Sequence, residues 1–238
     1  MKLLLIFLPF ISLAQWVAIP TSQYLDEMDK IQLDAKFQSS YSYLCHYSFI
    51  DQITNDTLEE AEGYLIYNSK KDLLNFQQVN YTGIQNKEVL VLCDTMNRQL
   101  LIQKPTISLL GNQDLLDIPK DLQNQYQVKK CAVKETVQYE ITLPKGGPYS
   151  MIRMTINSKN LEILNYQLVC AETVAQDPYD EDKKVLPIMS INFRNYEYGQ
   201  KVEQKRCTQP LDYFTDANLQ KASSKYADFE IIDLRNNK

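Results

Sequence analysis

The spacing of apolar residues changes period along the chain. Near the start, Tyr24, Met28, Ile31 and Ala35 recur every three or four residues, with acids and lysines between them. This predicts an amphipathic helix of about four turns over "TSQYLDEMDKIQLDAKF", capped by Thr21 or Ser22. The period then falls to two. In "YSYLCHYSF", Tyr41, Tyr43, Cys45, Tyr47 and Phe49 share one face, and Ser42, Leu44, His46 and Ser48 the other. That is a strand.

Strand patterns continue. "GYLIYN" and "LLNFQQV" flank Lys70 and Lys71 and read as a hairpin. "EVLVLCD" and "RQLLIQK" flank "TMN" and read as a second. "TVQYEITL", the turn "KGGP", "SMIRMTI", the turn "NSKN" and "LEILNYQLVC" follow, the last with Leu164, Tyr166, Leu168 and Cys170 on one side. "IMSINFRNYEY" and "FEIIDLR" complete the strands. Two helical pieces interrupt: "NQDLLDIPKDLQNQY", broken at Pro119, and "DANLQKASSKY". Consecutive hairpins imply an antiparallel sheet. The predicted fold is α+β. A curled antiparallel sheet, or half-barrel, of about nine to eleven strands carries an N-terminal helix, and short inserted helices cover its concave face.

The first residues change the picture of location. Lys2 precedes an uncharged apolar run from Leu3 to Leu13, and Ser12 and Ala14 stand at the −3 and −1 positions of a cut after Ala14. Residues 1–14 read as a secretory signal peptide, with 15–238 as one domain exported to the periplasm or secreted. No later apolar run is long enough to cross a bilayer, so no transmembrane segment is expected in the mature chain. The formal charge of −5 offers nothing to nucleic acid. With 6 glycines, phosphate-cradling loops are not expected.

Candidate chemistry is sparse. His46 is the only histidine, and it follows Cys45 directly. Neighbours in a strand point to opposite faces, so the pair cannot act as nucleophile and base. Cys45 is expected in the core and His46 at the surface. No nucleophile elbow, zinc-protease helix motif, phosphate loop or dinucleotide fingerprint occurs. No enzymatic activity, cofactor or metal is expected. In "DPYDED", Asp177, Asp180, Glu181 and Asp182 match no calcium loop and read as a solvated loop between strands. The 5 cysteines lack zinc-ribbon spacing, and an odd count leaves at least one thiol unpaired in a monomer.

The order of elements resembles the periplasmic lipoprotein-carrier (LolA/LolB-like) family. "EGYLIYNSKKDLLNFQ", led by Gly63, looks like that family's first hairpin. "EVLVLCDTMNRQLLIQKP" looks like the second, with Asp94 at the turn and Pro105 ending the strand. "DLLDIP" sits where the family has leucine-rich helices, and "MIRMTINSKNLEILNYQLV" looks like its later hairpin of long strands. The resemblance spans most of residues 22–200. This chain departs in having no glycine in "DTMN" and Asn75–Phe76 where the family often has a basic–aromatic pair.

The resemblance implies an exported soluble carrier whose hydrophobic cavity takes acyl chains or lipoprotein-like ligands. The alternative is a non-enzymatic envelope protein with a filled core and a protein partner. For the first reading, the expected cavity lining is Tyr64, Ile66, Leu74, Phe76, Val89, Val91, Ile152, Met154, Leu164, Tyr166, Ile191 and Phe193. A register error of one residue would turn a strand's set to the other face.

Overall fold

Period-two stretches become the strands of one very broad sheet. The computed structural model describes residues 15–34, 39–78, 80–105, 124–177 and 180–235. In chain order the elements are β1 (Val17–Ile19), α1 (Thr21–Gln32), β2 (Tyr41–Asp51), β3 (Thr57–Asn68), β4 (Leu73–Gln78), β5 (Tyr81–Gln85), β6 (Leu90–Asp94) and β7 (Gln99–Gln103). There follow β8 (Gln127–Val133), β9 (Thr136–Thr142), β10 (Tyr149–Asn157), β11 (Ile163–Cys170), β12 (Val174–Asp177), β13 (Asp180–Val185), β14 (Pro187–Tyr198), α2 (Gln200–Glu203) and β15 (Glu230–Asp233). The main sheet has 13 strands in the order β1-β8-β9-β10-β11-β14-β2-β3-β4-β5-β6-β7-β15. That exceeds the nine to eleven expected. The strands missing from the expectation are β1, only three residues long, and β5 and β8, which show no clean apolar alternation.

The leader, Ala35 and most of "NQDLLDIPKDLQNQY" lie outside the described residues. Helix α1 has 12 residues, and its N-cap is Pro20, without a side-chain cap. The Thr21 hydroxyl instead donates to the Tyr126 carbonyl at 3.5 Å. Of "DPYDED", Asp177 ends β12 and Asp180, Glu181 and Asp182 begin β13, and these two strands pair as a separate antiparallel sheet rather than leaving the acids in a loop. The glycine-free turn "DTMN" closes because the Asp94 carboxylate accepts the Met96 and Asn97 amides, both at 3.0 Å.

One face of the sheet, here called inner, is largely apolar across its width, with Lys130 and the buried Gln85 as polar exceptions. Register lines up Tyr139, Met154, Tyr166, Ile191 and Tyr47 across β9, β10, β11, β14 and β2. The apolar stripe of α1, Tyr24, Met28 and Ile31, joins this cluster and is at most 5% exposed. Glu27 fastens the helix: it accepts Lys130 Nζ at 2.7 Å and the Tyr139 hydroxyl. Burial raises the Glu27 pKa, but these bonds outweigh it and hold the carboxyl below its ordinary value.

Close backbone approach explains Gly63. A Cβ there would lie 2.5 Å from the Gln77 carbonyl oxygen and 2.6 Å from the Tyr47 ring. Cys45, at 1% exposure, is a core residue as expected.

The opposite, outer face divides. Over β8 to β11, β14 and most of β2 it is polar. Over the second half of β3 and β4 to β7 it is mainly apolar, with Ile66, Asn75, Ile84, Val91 and Ile102 aligned strand to strand. The chain after β14 crosses this second area and packs Cys207, Tyr213, Phe214 and Leu219 onto it. This strap corrects three expectations. The described short helices do not cover the inner face: α2 and the strap lie outside. "DANLQKASSKY" is not an α-helix: Asp216 accepts the Gln220 and Lys221 amides, Phe214 bridges to Ala222, and only a single 3-10 turn, Ser224–Tyr226, remains. The sheet is not wholly antiparallel: after the crossing, β15 runs parallel to β7.

Candidate ligand site on the outer face

At the boundary between the polar and covered halves, a pocket of about 450 Å³ opens on the outer face. Three elements build it. From β2 come Ser42 and Leu44, and from β3 come Tyr64 and Ile66, paired as Ser42 with Ile66 and Leu44 with Tyr64. From β14 come Asn195 and Glu197, and the strap adds Lys205. A break in the β14–β2 register between Arg194 and Glu197 shapes the wall, and Asn195 in it has φ 56°. Such a bulge adds a residue to one strand and re-aims its side chains.

Leu44, Tyr64 and Ile66 give the pocket an apolar floor. The rim is polar. Lys205 Nζ pairs with the Glu197 carboxylate and donates to Ser42 Oγ at 2.9 Å. Ser42 Oγ in turn donates to Glu197 Oε2 at 3.4 Å. The hydrogen bond and charge of Lys205 hold the Glu197 carboxyl below its ordinary pKa. Lys205, Glu197 and Ser42 are thus bonded to one another around the mouth of the pocket. Burial, with Cys207 nearby, pushes the Tyr64 phenol up.

The predicted lining residues are not brought to one place. Leu74, Phe76, Met154, Tyr166, Ile191 and Phe193 sit in the inner cluster, and Ile152 packs against it. Val89 and Val91 belong to the outer cluster under the strap, and Ile66 packs against it. Tyr64 lies on the outer face with Ile66. Register decides this division: Tyr67 pairs with Leu74 and Leu65 with Phe76, so Tyr64 and Ile66 must face the other way. Leu164 belongs to neither cluster. A register shift in the β10–β11 pairing lets Ile163 and Tyr166 both face inward and leaves Leu164 at the irregularity.

Of the outer pocket, sequence reasoning named Tyr64 and Ile66 and missed Ser42, Leu44, Glu197 and Lys205. The missed signal was Leu44, an apolar residue on the serine and histidine face of β2. His46 lies on that same polar face, with Nδ1 3.2 Å from Glu62 and Nε2 3.5 Å from Glu60. Burial pushes the Cys45 thiol up, opposite to the shift a nucleophilic thiolate needs. Among the described residues, no cluster of three or more His, Cys, Asp or Glu is arranged to hold a metal. No described helix is long and apolar enough to cross a membrane.

No protein-family model matches the sequence. No curated protein matches it. Solved structures do. An uncharacterized conserved protein from Thermus thermophilus is 11% identical, with 89% of this chain and 98% of that one covered and a TM-score of 0.43. A LolA superfamily protein from Nitrosomonas europaea is 8% identical, with coverages of 79% and 99% and a TM-score of 0.30. A DUF1329 family protein from Desulfovibrio piger is 12% identical, with coverages of 84% and 99% and a TM-score of 0.34. The structural neighbours thus include a LolA superfamily member. At these scores the functional reading rests on the geometry of this chain.

Proposed function

We propose that this protein is an exported binding protein. Its leader, residues 1–14, is removed, and the remainder carries an amphipathic ligand, an acyl chain or a comparable apolar group, in the outer-face pocket. The supporting observation is the pocket's division into an apolar floor of Leu44, Tyr64 and Ile66 and a polar rim of Ser42, Glu197 and Lys205. About 450 Å³ is an ordinary size for a ligand site. Burial of the ligand's apolar part drives binding at roughly 25 cal/mol per Å², and the rim orients its polar end.

Native mass spectrometry of protein purified from its own periplasm tests this. Co-purified lipid is the expected result, and its loss is expected in Leu44→Arg, which puts a charge on the floor at an already exposed position. Ligand-free wild-type protein would contradict the proposal.

A second reading is an envelope protein that binds a protein partner. The observation that favours it is the filled inner face: Leu74, Met154 and Tyr166 are at most 4% exposed. Cross-linking in the intact envelope distinguishes the two.

A further inference from the structure

The polar part of the outer face holds a second pocket, far along the sheet from the first. It has a volume of about 230 Å³ and is walled by Trp16, the single tryptophan of the chain. Trp16 just precedes β1, where Val17 pairs with Lys130, so the same register carries Trp16 on to Cys131. From there a row runs across the sheet: Cys131 faces Gln138, Gln138 faces Thr155, Thr155 faces Asn165, and Asn165 faces Asn192. The adjacent row contributes Arg153 and Gln167, paired with each other.

The chemistry of these groups is specific. Trp16 is 42% exposed, an unusual state for so large an apolar ring. The side chains of Gln138 and Thr155 make no hydrogen bond within the described protein. Between them they offer amide donors, an amide acceptor and a hydroxyl. Arg153 is tied by Nε to Glu140 at 3.4 Å, a carboxylate it shares with Lys129 at 3.5 Å, and its terminal N–H groups remain as further donors. Asn165 is held rigid, donating to Asn192 Oδ1 at 2.9 Å and Ser190 Oγ at 3.0 Å.

An exposed indole beside uncharged groups of mixed donor and acceptor type suits a sugar ring. The ring's C–H face lies on the aromatic plate, and its equatorial hydroxyls both give and take hydrogen bonds. A lipid chain would find no apolar floor. The row of polar residues also advances by one strand at a time, about 4.8 Å. That is close to the rise per unit of an extended oligosaccharide.

We infer that this surface is a saccharide-binding site, with one pyranose ring of a neutral oligosaccharide on Trp16 and hydrogen bonds to Gln138 and Thr155. The site is separate from the outer-face pocket and independent of its ligand.

The lone tryptophan supplies the readout. Mature full-length protein is titrated with cellotetraose, maltotetraose and the N-acetylglucosamine tetramer while Trp16 fluorescence is followed. A saturable emission shift is expected with at least one of them. Binding should weaken about tenfold in the double variant Gln138→Ala/Thr155→Ala, as the loss of two hydrogen bonds implies. The variant's melting temperature should stay at the wild-type value. No saturable shift with any of the three sugars would overturn the inference. So would a shift that the double variant retains at full affinity.

Discussion

The two halves of the sheet solve burial differently. In β8 to β11, β14 and β2, one face is packed against α1 and the inner core, and the other is left to water. In the second half of β3 and in β4 to β7, both faces are packed, the inner one against the common core and the outer one against the strap. The sequences differ accordingly. "TVQYEIT" and "YSMIRMTI" alternate, with Tyr139, Ile141, Met154 and Ile156 buried and their neighbours half-exposed. "LLNF" and "LVLCD" are nearly continuous apolar runs, the pattern of strands covered on both sides. The candidate ligand pocket lies where one regime meets the other, because there the outer face is apolar but the strap has only begun to cross it.

The strap is therefore the element whose loss has the largest effect. A chain ending at Tyr198 would expose Leu73, Ile84, Val91, Leu100 and Ile102 together, along with the unpaired edge of β7. Complete loss of soluble monomer is expected by size-exclusion chromatography. A well-folded truncated monomer would break the comparison, since it would mean the outer core is dispensable.

The inner face was legible in the sequence and the outer cover was not. Alternation in "YSYLCHYSF" points to the inner face of β2, where Tyr41, Tyr43 and Cys45 are all at most 6% exposed, but it does not show that Ser42 and Ser48 on the other face are buried as well. Alternation cannot decide between two buried faces, so in β3 and β4 the expected lining mixed Tyr64 and Ile66 with Leu74 and Phe76. The continuous run in "EVLVLCD" was the available sign of double burial. The strap itself has no period, since a loop that packs by turns and single anchors leaves no repeating pattern. The pocket was least legible, because Ser42 lies 155 residues from Glu197 in the chain and meets it and Lys205 only beside the bulge in β14.

Close packing across the doubly covered half gives the next effect. A Cβ on Gly83 would sit 2.0 Å from the Phe76 ring, which closes over that glycine on the inner face. Gly83→Ala should destabilise by about 1–3 kcal/mol in denaturant unfolding, through displacement of a packed aromatic ring. A neutral result would show that Phe76 is loosely held.

The α1 latch sharpens the singly covered half. Glu27 has a depressed pKa in the folded chain, so its contribution is present above the unfolded carboxylate value, about 4.3. It is lost as pH falls through the lower folded value. Glu27→Gln should destabilise by about 1–2 kcal/mol near neutral pH. The gap between variant and wild type should close on acidification below that window. A gap independent of pH would mean that Glu27 acts through packing alone.

The smallest effect belongs to the open polar face. His46 sits there between Glu60 and Glu62, with its side chain 30% exposed. His46→Ala should change stability by no more than about 0.5 kcal/mol and leave ligand binding intact. Loss of ligand at an unchanged melting temperature would make His46 a functional residue.

The most direct test of the two-regime account is a set of alanine substitutions at neighbouring positions, read by equilibrium unfolding. In β4, Leu73 faces the strap and Leu74 the inner core, at 4% and 0% exposure. In β10, Met154 faces the inner core at 1% exposure and Thr155 lies half-buried on the outer face. The account predicts losses of about 2–5 kcal/mol for Leu73→Ala, Leu74→Ala and Met154→Ala alike, and within about 0.5 kcal/mol of zero for Thr155→Ala. A small loss at Leu73 with a large one at Leu74 would contradict it, for β4 would then be buried on one side only.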